Sequence, residues 1–265
     1  MTFPVYLPIG PLQLHPHFVF ELLAYAVGLY FVLFRRLRRA ASADTAAPTL
    51  LPSQRTSISV GALVGALLGA KVLVLLQHMN VLGEDWRQFA LLVLQGKTIV
   101  GALLGGLIGV EVTKKQIGVT QSTGDSFVFS VMVGMMIGRM GCFLTGLSDR
   151  TYGIATTLPW GVDFGDGIAR HPTQLYEIGF LAVLILLLRL YAHRSKQSGD
   201  LFKLFMIAYL GFRFAIDFIK PEFRPVFGLS AIQVACLGGL IYYRIDAVRL
   251  GKTVGSFLAS KNVNK

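Results

Sequence analysis

Three groups of residues have the types and spacing to do chemistry. The first is Arg170-His-Pro-Thr-Gln-Leu-Tyr-Glu177, which sets Arg170, His171, Tyr176 and Glu177 at the threshold of an apolar run from Ile178 to Leu188. His171 can act as a general base near neutral pH, or it can cap and pack a helix entrance. Glu177 can serve as an acid/base group or as the ion partner of Arg170 or Arg139. The second group is Tyr209, Arg213 and Asp217. Their i, i+4, i+8 spacing puts them on one helix face. They can form an anion site, with Arg213 gripping a phosphate, Asp217 orienting it and Tyr209 donating a hydrogen bond; they can equally form an internal ion pair. The third is Arg139 in Gly138-Arg-Met-Gly141-Cys142. The glycines leave room for a lipid headgroup or a neighbouring backbone, while a snorkelling arginine is the plainer alternative. Two arginines near one leaflet suit a bidentate grip on a lipid phosphate. Cys142 can be a nucleophile, but a buried cysteine more often behaves as a small hydrophobe. No metal-ligand spacing, nucleotide-binding loop or dinucleotide glycine motif is visible, so no metal and no cofactor are expected.

These residues must be positioned by apolar helices. Of 265 residues, 54% are hydrophobic and 15% charged, against roughly 25% charged in a soluble domain. The expected class is all-α, a single polytopic membrane helix bundle over residues 1–265. Apolar runs long enough to span fall at 18–34, 58–79, 89–112, 127–144, 175–191, 201–219 and 228–243. The third is interrupted by Gln95-Gly96-Lys97 and reads as broken or partly re-entrant. Residues 40–56 read as a flexible loop and 145–173 as a long polar loop. The net charge of +11 does not point to nucleic acid, because the positives gather in short loops. These are Arg35, Arg36, Arg38 and Arg39; Lys114 and Lys115; Arg194 and Lys196; and Arg244, Arg249 and Lys252 in a short basic tail from 244. That is a positive-inside pattern. With seven spans it sets the N-terminus outside and the C-terminus in the cytoplasm. The loop 145–173, the 170–177 segment, Arg139 and residues 220–224 then share the outer face. The N-terminus lacks a basic stretch before its first apolar run, so a cleaved signal peptide is not expected. A disulfide between Cys142 and Cys236, each in an apolar run, is not expected either. Gly61, Gly65 and Gly69 form one ladder and Gly101, Gly105 and Gly109 another; glycines four apart let helices approach closely. Glu21, Lys71 and Glu111 are charges in or near apolar runs with no assigned role.

The motif at 170–177 is close to the Arg-His-Pro-Ser-Gln-Leu-Tyr-Glu of the prolipoprotein diacylglyceryl transferases. "GRMGCFLTG" at 138–146 is similar to that family's Gly-Arg-Ile-Gly-Asn-Phe, and "YLGFRFAIDF" at 209–218 looks like its Tyr-Gly-x-x-Arg-Phe-x-x-Glu-Phe. "LGGLIGV" at 104–110, which contains Gly105 and Gly106, and "IGPLQL" at 9–14 match two further elements in the same order. The resemblance implies a seven-helix enzyme of the bacterial inner membrane. Such enzymes transfer a diacylglyceryl group from phosphatidylglycerol to the lipobox cysteine of a preprolipoprotein. By position, Arg139 and Arg213 would hold the phosphate and Tyr209 and Asp217 would line the cavity. His171 would stand at the outer mouth with Arg170, Tyr176 and Glu177 in support, as would Gly138, Gly141, Gly105 and Gly106. The sequence departs from the family at Leu104, where a His or Tyr often precedes the paired glycines, at Cys142 in place of Asn, and at Asp217 in place of Glu. The base then falls to His171 or Asp217. The same residues also fit a phospholipid-dependent transferase with another acceptor, or a protein that binds or moves lipid without chemistry.

Overall fold

The computed structural model describes residues 3–41, 50–83, 85–192 and 197–252. The basic loop carrying Arg194 and Lys196, and residues 42–49 of the expected flexible loop at 40–56, lie outside them; residues 40–41 and 52–56 of that loop are helical. The chain divides into two units. One holds Met1–Thr45, Thr123–Phe205 and Phe218–Pro221, the other Ala46–Ser122, Met206–Asp217 and Glu222–Lys265.

The first unit starts with a hairpin, β1 (Leu7–Ile9) paired antiparallel with β2 (Leu12–Leu14). Its turn needs Gly10, whose φ is +60°. Helix α1 (Pro16–Ala41) begins with proline, whose fixed φ and missing N–H suit a helix start. The second unit contributes α2 (Pro52–Gln77), the short α3 (Met79–Leu82), α4 (Trp86–Gln95) and α5 (Ile99–Gln116). Helix α6 (Val128–Thr145) packs against α1 and against α7 (Thr173–Ala192). Between α6 and α7 the expected polar loop is an ordered structure. It contains the two-residue strands β3 (Val162–Asp163) and β4 (Ala169–Arg170). Asp163 accepts the N–H groups of Gly165, Asp166 and Gly167 to close the turn between them. Phe164 anchors the loop by burying its ring among Phe3, Phe143 and Tyr152. Helix α8 (Asp200–Ile216) starts where Asp125 accepts the N–H groups of Gly199 and Phe202, and α9 (Ala231–Tyr242) starts at a capping box of Ser230 and Gln233.

The two glycine ladders meet each other. Helices α2 and α5 run antiparallel with Gly61 against Gly109, Gly65 against Gly105 and Gly69 against Gly101. A β-carbon on Gly65 would lie 2.3 Å from the Gly105 carbonyl oxygen. Small residues let backbones touch, and in lipid that packing is the main source of helix affinity. Helices α4 and α5 are bent by 66° at the break after Gln95, where the sequence places Gly96-Lys97. Lys71 explains how the break is tolerated. Its ammonium donates to the carbonyls of Val93, Leu94 and Gly96 at 2.9, 2.6 and 2.9 Å. A cation at a helix C-terminus satisfies orphan carbonyls and meets the negative end of the dipole.

Among the described residues three helices are long and apolar enough to cross a membrane, or five if each bent pair counts as one span. The expected runs at 58–79, 127–144 and 175–191 fall on these three helices. Helix α1 holds the expected run 18–34 within its 26 residues, and α8 is 17 residues long. Rows of leucine on the long helices, among them Leu63, Leu67, Leu186 and Leu187, are solvent-exposed in the isolated chain. Such rows suit a lipid surface rather than water.

Candidate functional site

In the first unit, two of the sequence motifs meet through one buried ion pair. Glu177, in the first turns of α7, places Oε2 2.9 Å from Nε of Arg139 on α6. Both residues are buried, Arg139 at 7% and Glu177 at 1% exposure. Two such charges leave water only together, because either one alone would be uncompensated. Of the two partners open to Glu177 from sequence, Arg139 is the one observed. Arg170 pairs instead with Asp166 at 2.6 Å and lies over the Tyr152 ring. The hydrogen bond from Arg170 holds the exposed Asp166 carboxyl below its usual range.

His171 is positioned from both sides. Its backbone pairs with Gly153 and Ile154, and its Nδ1 lies 3.1 Å from the Tyr176 hydroxyl. That hydroxyl also accepts the Trp160 indole N–H at 2.8 Å. Gly153 is required here, since a β-carbon would fall 2.7 Å from His171 Cβ and 2.8 Å from the Ile219 carbonyl oxygen. Thr173 and Gln174 fasten the start of α7 to Thr151. The polar mouth read from the sequence is thus a rigid assembly of loop and helix entrance. Gly138 faces open space, whereas Gly141 is in close contact with α1, 2.6 Å from its would-be β-carbon to Phe20 Cβ.

A cluster that sequence reasoning missed lies at that α1–α6 contact. His17, Cys142 and Asp149 bring one donor atom each to within 4.8 Å of one another. His17 Nδ1 is 3.0 Å from Asp149 Oδ1, and its Nε2 is 3.6 Å from Glu21 Oε2. Tyr25 donates to the other Glu21 oxygen at 2.6 Å, and Thr151 donates to Asp149 at 2.6 Å. The three residues span more than 130 positions, and no local spacing signals them. Cys142 in place of the family's Asn was the one visible hint.

In the second unit, the expected face of α8 is present. Arg213 Nη2 lies 3.5 Å from Asp217 Oδ1, and Asp217 is fully buried, just past the end of the helix. Ser230 donates its hydroxyl to Asp217 Oδ2, and Arg224 donates to the Asp217 carbonyl at 3.0 Å. A carboxylate so engaged compensates Arg213 more readily than it removes a proton. Tyr209 is fully buried on the same helix. Leu104 packs beside Gly239, an apolar contact at the place where the family often has His or Tyr. Gly105 belongs to the α2 contact, while Gly106 faces Ala62 and Ala66 at ordinary separation.

A helical protein with apolar, membrane-length helices and arginine–carboxylate pairs buried at their ends is the class these features define. The family model described as prolipoprotein diacylglyceryl transferase matches residues 4–245. A phosphatidylglycerol–prolipoprotein diacylglyceryl transferase of Bordetella avium is 29% identical over 263 residues, covering 93% of this chain and 95% of that protein. One from Geobacter sulfurreducens is 31% identical over 225 residues, 82% of each. One from Bordetella parapertussis is 36% identical over 126 residues; there the chain spans 47% of the relative's length. The chain belongs to the prolipoprotein diacylglyceryl transferase family.

Proposed function

We propose that this chain transfers a diacylglyceryl group from phosphatidylglycerol to the lipobox cysteine thiol of a preprolipoprotein, as a multi-pass enzyme of the bacterial inner membrane. The observation that carries the reading is the Arg139–Glu177 pair at 2.9 Å. It fastens the motif at 138–146 to the motif at 170–177, and so presents two separate family signatures as one buried polar site. The proposed arrangement has seven spans, with the N-terminus outside; the bent pair of α4 and α5 counts as one span, and the segment from 244 is a cytoplasmic tail. This topology rests on the positive-inside distribution of Arg35–Arg39, Lys114, Lys115 and the 244–252 segment.

In the reaction, the acceptor sulfur attacks the glyceryl carbon bonded to the phosphate ester oxygen. The carbon–oxygen bond breaks with its electron pair on oxygen, and glycerol phosphate leaves. Arg139 and Arg213 are proposed as phosphate-holding cations from their family motifs alone; within the first unit Arg139 is held by Glu177, and within the second Arg213 is held by Asp217. A guanidinium fixed before the reaction stabilises developing charge without reorganising. Arg170, Tyr176, Gly138 and Gly141 are the proposed support of Arg139, and Tyr209 that of Arg213. The thiol proton passes to a protein base; His171 at the helix entrance is the better placed candidate, because Asp217 already serves Arg213 and Ser230.

The test is mass spectrometry of a lipobox peptide incubated with the purified protein in phosphatidylglycerol vesicles. The peptide gains the diacylglyceryl mass, and Arg139→Ala and Arg213→Ala abolish the gain. Near-normal transfer by either variant sinks the assignment of that arginine. No transfer by the parent protein, with binding of phosphatidylglycerol retained, favours a lipid-binding role. Transfer to another thiol with none to the lipobox peptide favours a different acceptor.

A further inference from the structure

We infer that His17, Cys142 and Asp149 form a binding site for a divalent zinc ion, which takes the acceptor thiol as its fourth ligand. The inference rests on the transferase reading above and supplies its thiol-activation step. The three donor atoms form a triangle, all within 4.8 Å of one another. In a nucleophilic relay the imidazole would separate the thiol from the carboxylate, one on each ring nitrogen. Here one donor atom of each of the three residues lies within 4.8 Å of the other two, as ligands around a common centre would. His17 Nδ1 is buried and makes no aligned hydrogen bond, although Asp149 Oδ1 is 3.0 Å away. An ion in the triangle would displace any proton on that nitrogen and take its lone pair. The other ring nitrogen faces the carboxylate of Glu21, itself held by Tyr25. Metal-bound histidines commonly give their second nitrogen to a carboxylate, which fixes the tautomer and raises ligand basicity.

The donor set selects the metal. One thiolate, one imidazole and one carboxylate suit zinc, and three protein ligands leave one position open, as in catalytic rather than structural zinc sites. The open position has somewhere to face. His17 and Asp149 line a cleft of about 440 Å³, together with His15, Glu21, Thr145 and Ser148. Rigid packing supports the ligands from behind, because the Gly141 backbone sits directly against Phe20 and His17 of α1. Cys142 follows Arg139 by three positions on α6, so the two side chains neighbour each other on one helix face. The zinc would therefore hold a thiol beside the arginine assigned to the donor phosphate.

Chemically, a thiol that coordinates zinc is deprotonated outright. Its proton would pass through water in the cleft to the protein base as the zinc–sulfur bond forms. The sulfur lone pair then makes the new bond to the glyceryl carbon as the carbon–oxygen bond to phosphate breaks, and the electron pair leaves with glycerol phosphate. This relieves the demand for a strong base that Leu104 cannot meet.

The experiment uses the full chain purified in detergent without a histidine tag, loaded with zinc or cobalt(II). Zinc binds stoichiometrically, and the cobalt form shows a thiolate-to-metal charge-transfer band in the near ultraviolet. Cys142→Ser, which conserves shape, removes that band, and His17→Ala and Cys142→Ser each weaken zinc binding by about tenfold or more. Adding lipobox peptide to wild type strengthens the band, while its Cys-to-Ser analogue does not. A parent protein that binds no stoichiometric metal, or a band unchanged in Cys142→Ser, overturns the site. A band indifferent to the peptide thiol, or full transfer by chelator-stripped protein, overturns the role in thiol activation while leaving the transferase reading intact. A peptide-dependent band without any transfer does the opposite.

Discussion

Substituting Gly105 by alanine tests the central packing of the second unit with a worked magnitude. The added β-carbon would lie 2.2 Å from the Gly65 carbonyl oxygen and 2.8 Å from Gly69 Cα. Ordinary contact begins near 3.4 Å, so α2 and α5 must separate by about 1 Å, enough to forfeit much of the dispersion attraction along the seam. Both atoms met are backbone, so no side chain can turn aside, and the cost belongs at the upper end of the ~1–3 kcal/mol for overpacking. Alanine returns up to about 1 kcal/mol of helix propensity over glycine. The net loss is about 2 kcal/mol, or a fall of about 4–8 °C in unfolding midpoint for a chain of this size. Gly106→Ala is the control: its β-carbon meets nothing closer than 3.5 Å, so the same propensity gain appears unopposed. The assay is thermal unfolding in detergent, followed by intrinsic fluorescence. If Gly105→Ala melts at or above wild type, level with Gly106→Ala, the backbone contact of α2 with α5 is refuted.

Glu177→Ala removes the carboxylate of the buried Arg139–Glu177 pair and costs about 3–5 kcal/mol. Glu177→Gln retains an acceptor and costs less, and urea or thermal titration of the two variants resolves the order. Lys71→Met strips the charged donor from three carbonyls at the end of α4, a loss of about 2 kcal/mol or more. Hydrogen exchange should then accelerate first within Trp86–Gln95. Gly153→Ala forces the loop away from His171 and lowers transfer activity more than it lowers the melting midpoint. Asp166→Asn, by contrast, lowers the midpoint only slightly at neutral pH, because the pair is exposed, and not at all once the wild-type carboxyl is protonated. The Asp166 carboxyl is held below its usual range by Arg170, so any contribution is present above the ordinary carboxylate range and is lost only as pH falls through the lowered value. A midpoint that shifts between pH 6 and 8 in wild type but not in Asp166→Asn contradicts that sign.

Local rules carried far along this chain. The α8 face could be read from its spacing because four residues is close to one helical turn, and the Arg213–Asp217 pair follows from it. The glycine ladders announced close helix contact, and Gln95-Gly96-Lys97 announced a broken helix. Length and apolarity marked seven runs, but hydropathy reads composition and not where a helix ends. The α9 run was read as starting at 228, but Ser230 and Gln233 cap the helix at Ala231.

What the sequence determined by itself was the class of the protein, its family motifs and which residues share a helix face. These follow from backbone periodicity and from the cost of burying charge in lipid. Only the tertiary structure decided the pairings across elements. It gave Glu177 to Arg139 and Asp166 to Arg170, matched each glycine of one ladder to its partner on the other, and brought His17 and Asp149 to Cys142. Such choices depend on which helix packs against which, and that is settled by the shape and burial of whole surfaces rather than by any spacing along the chain.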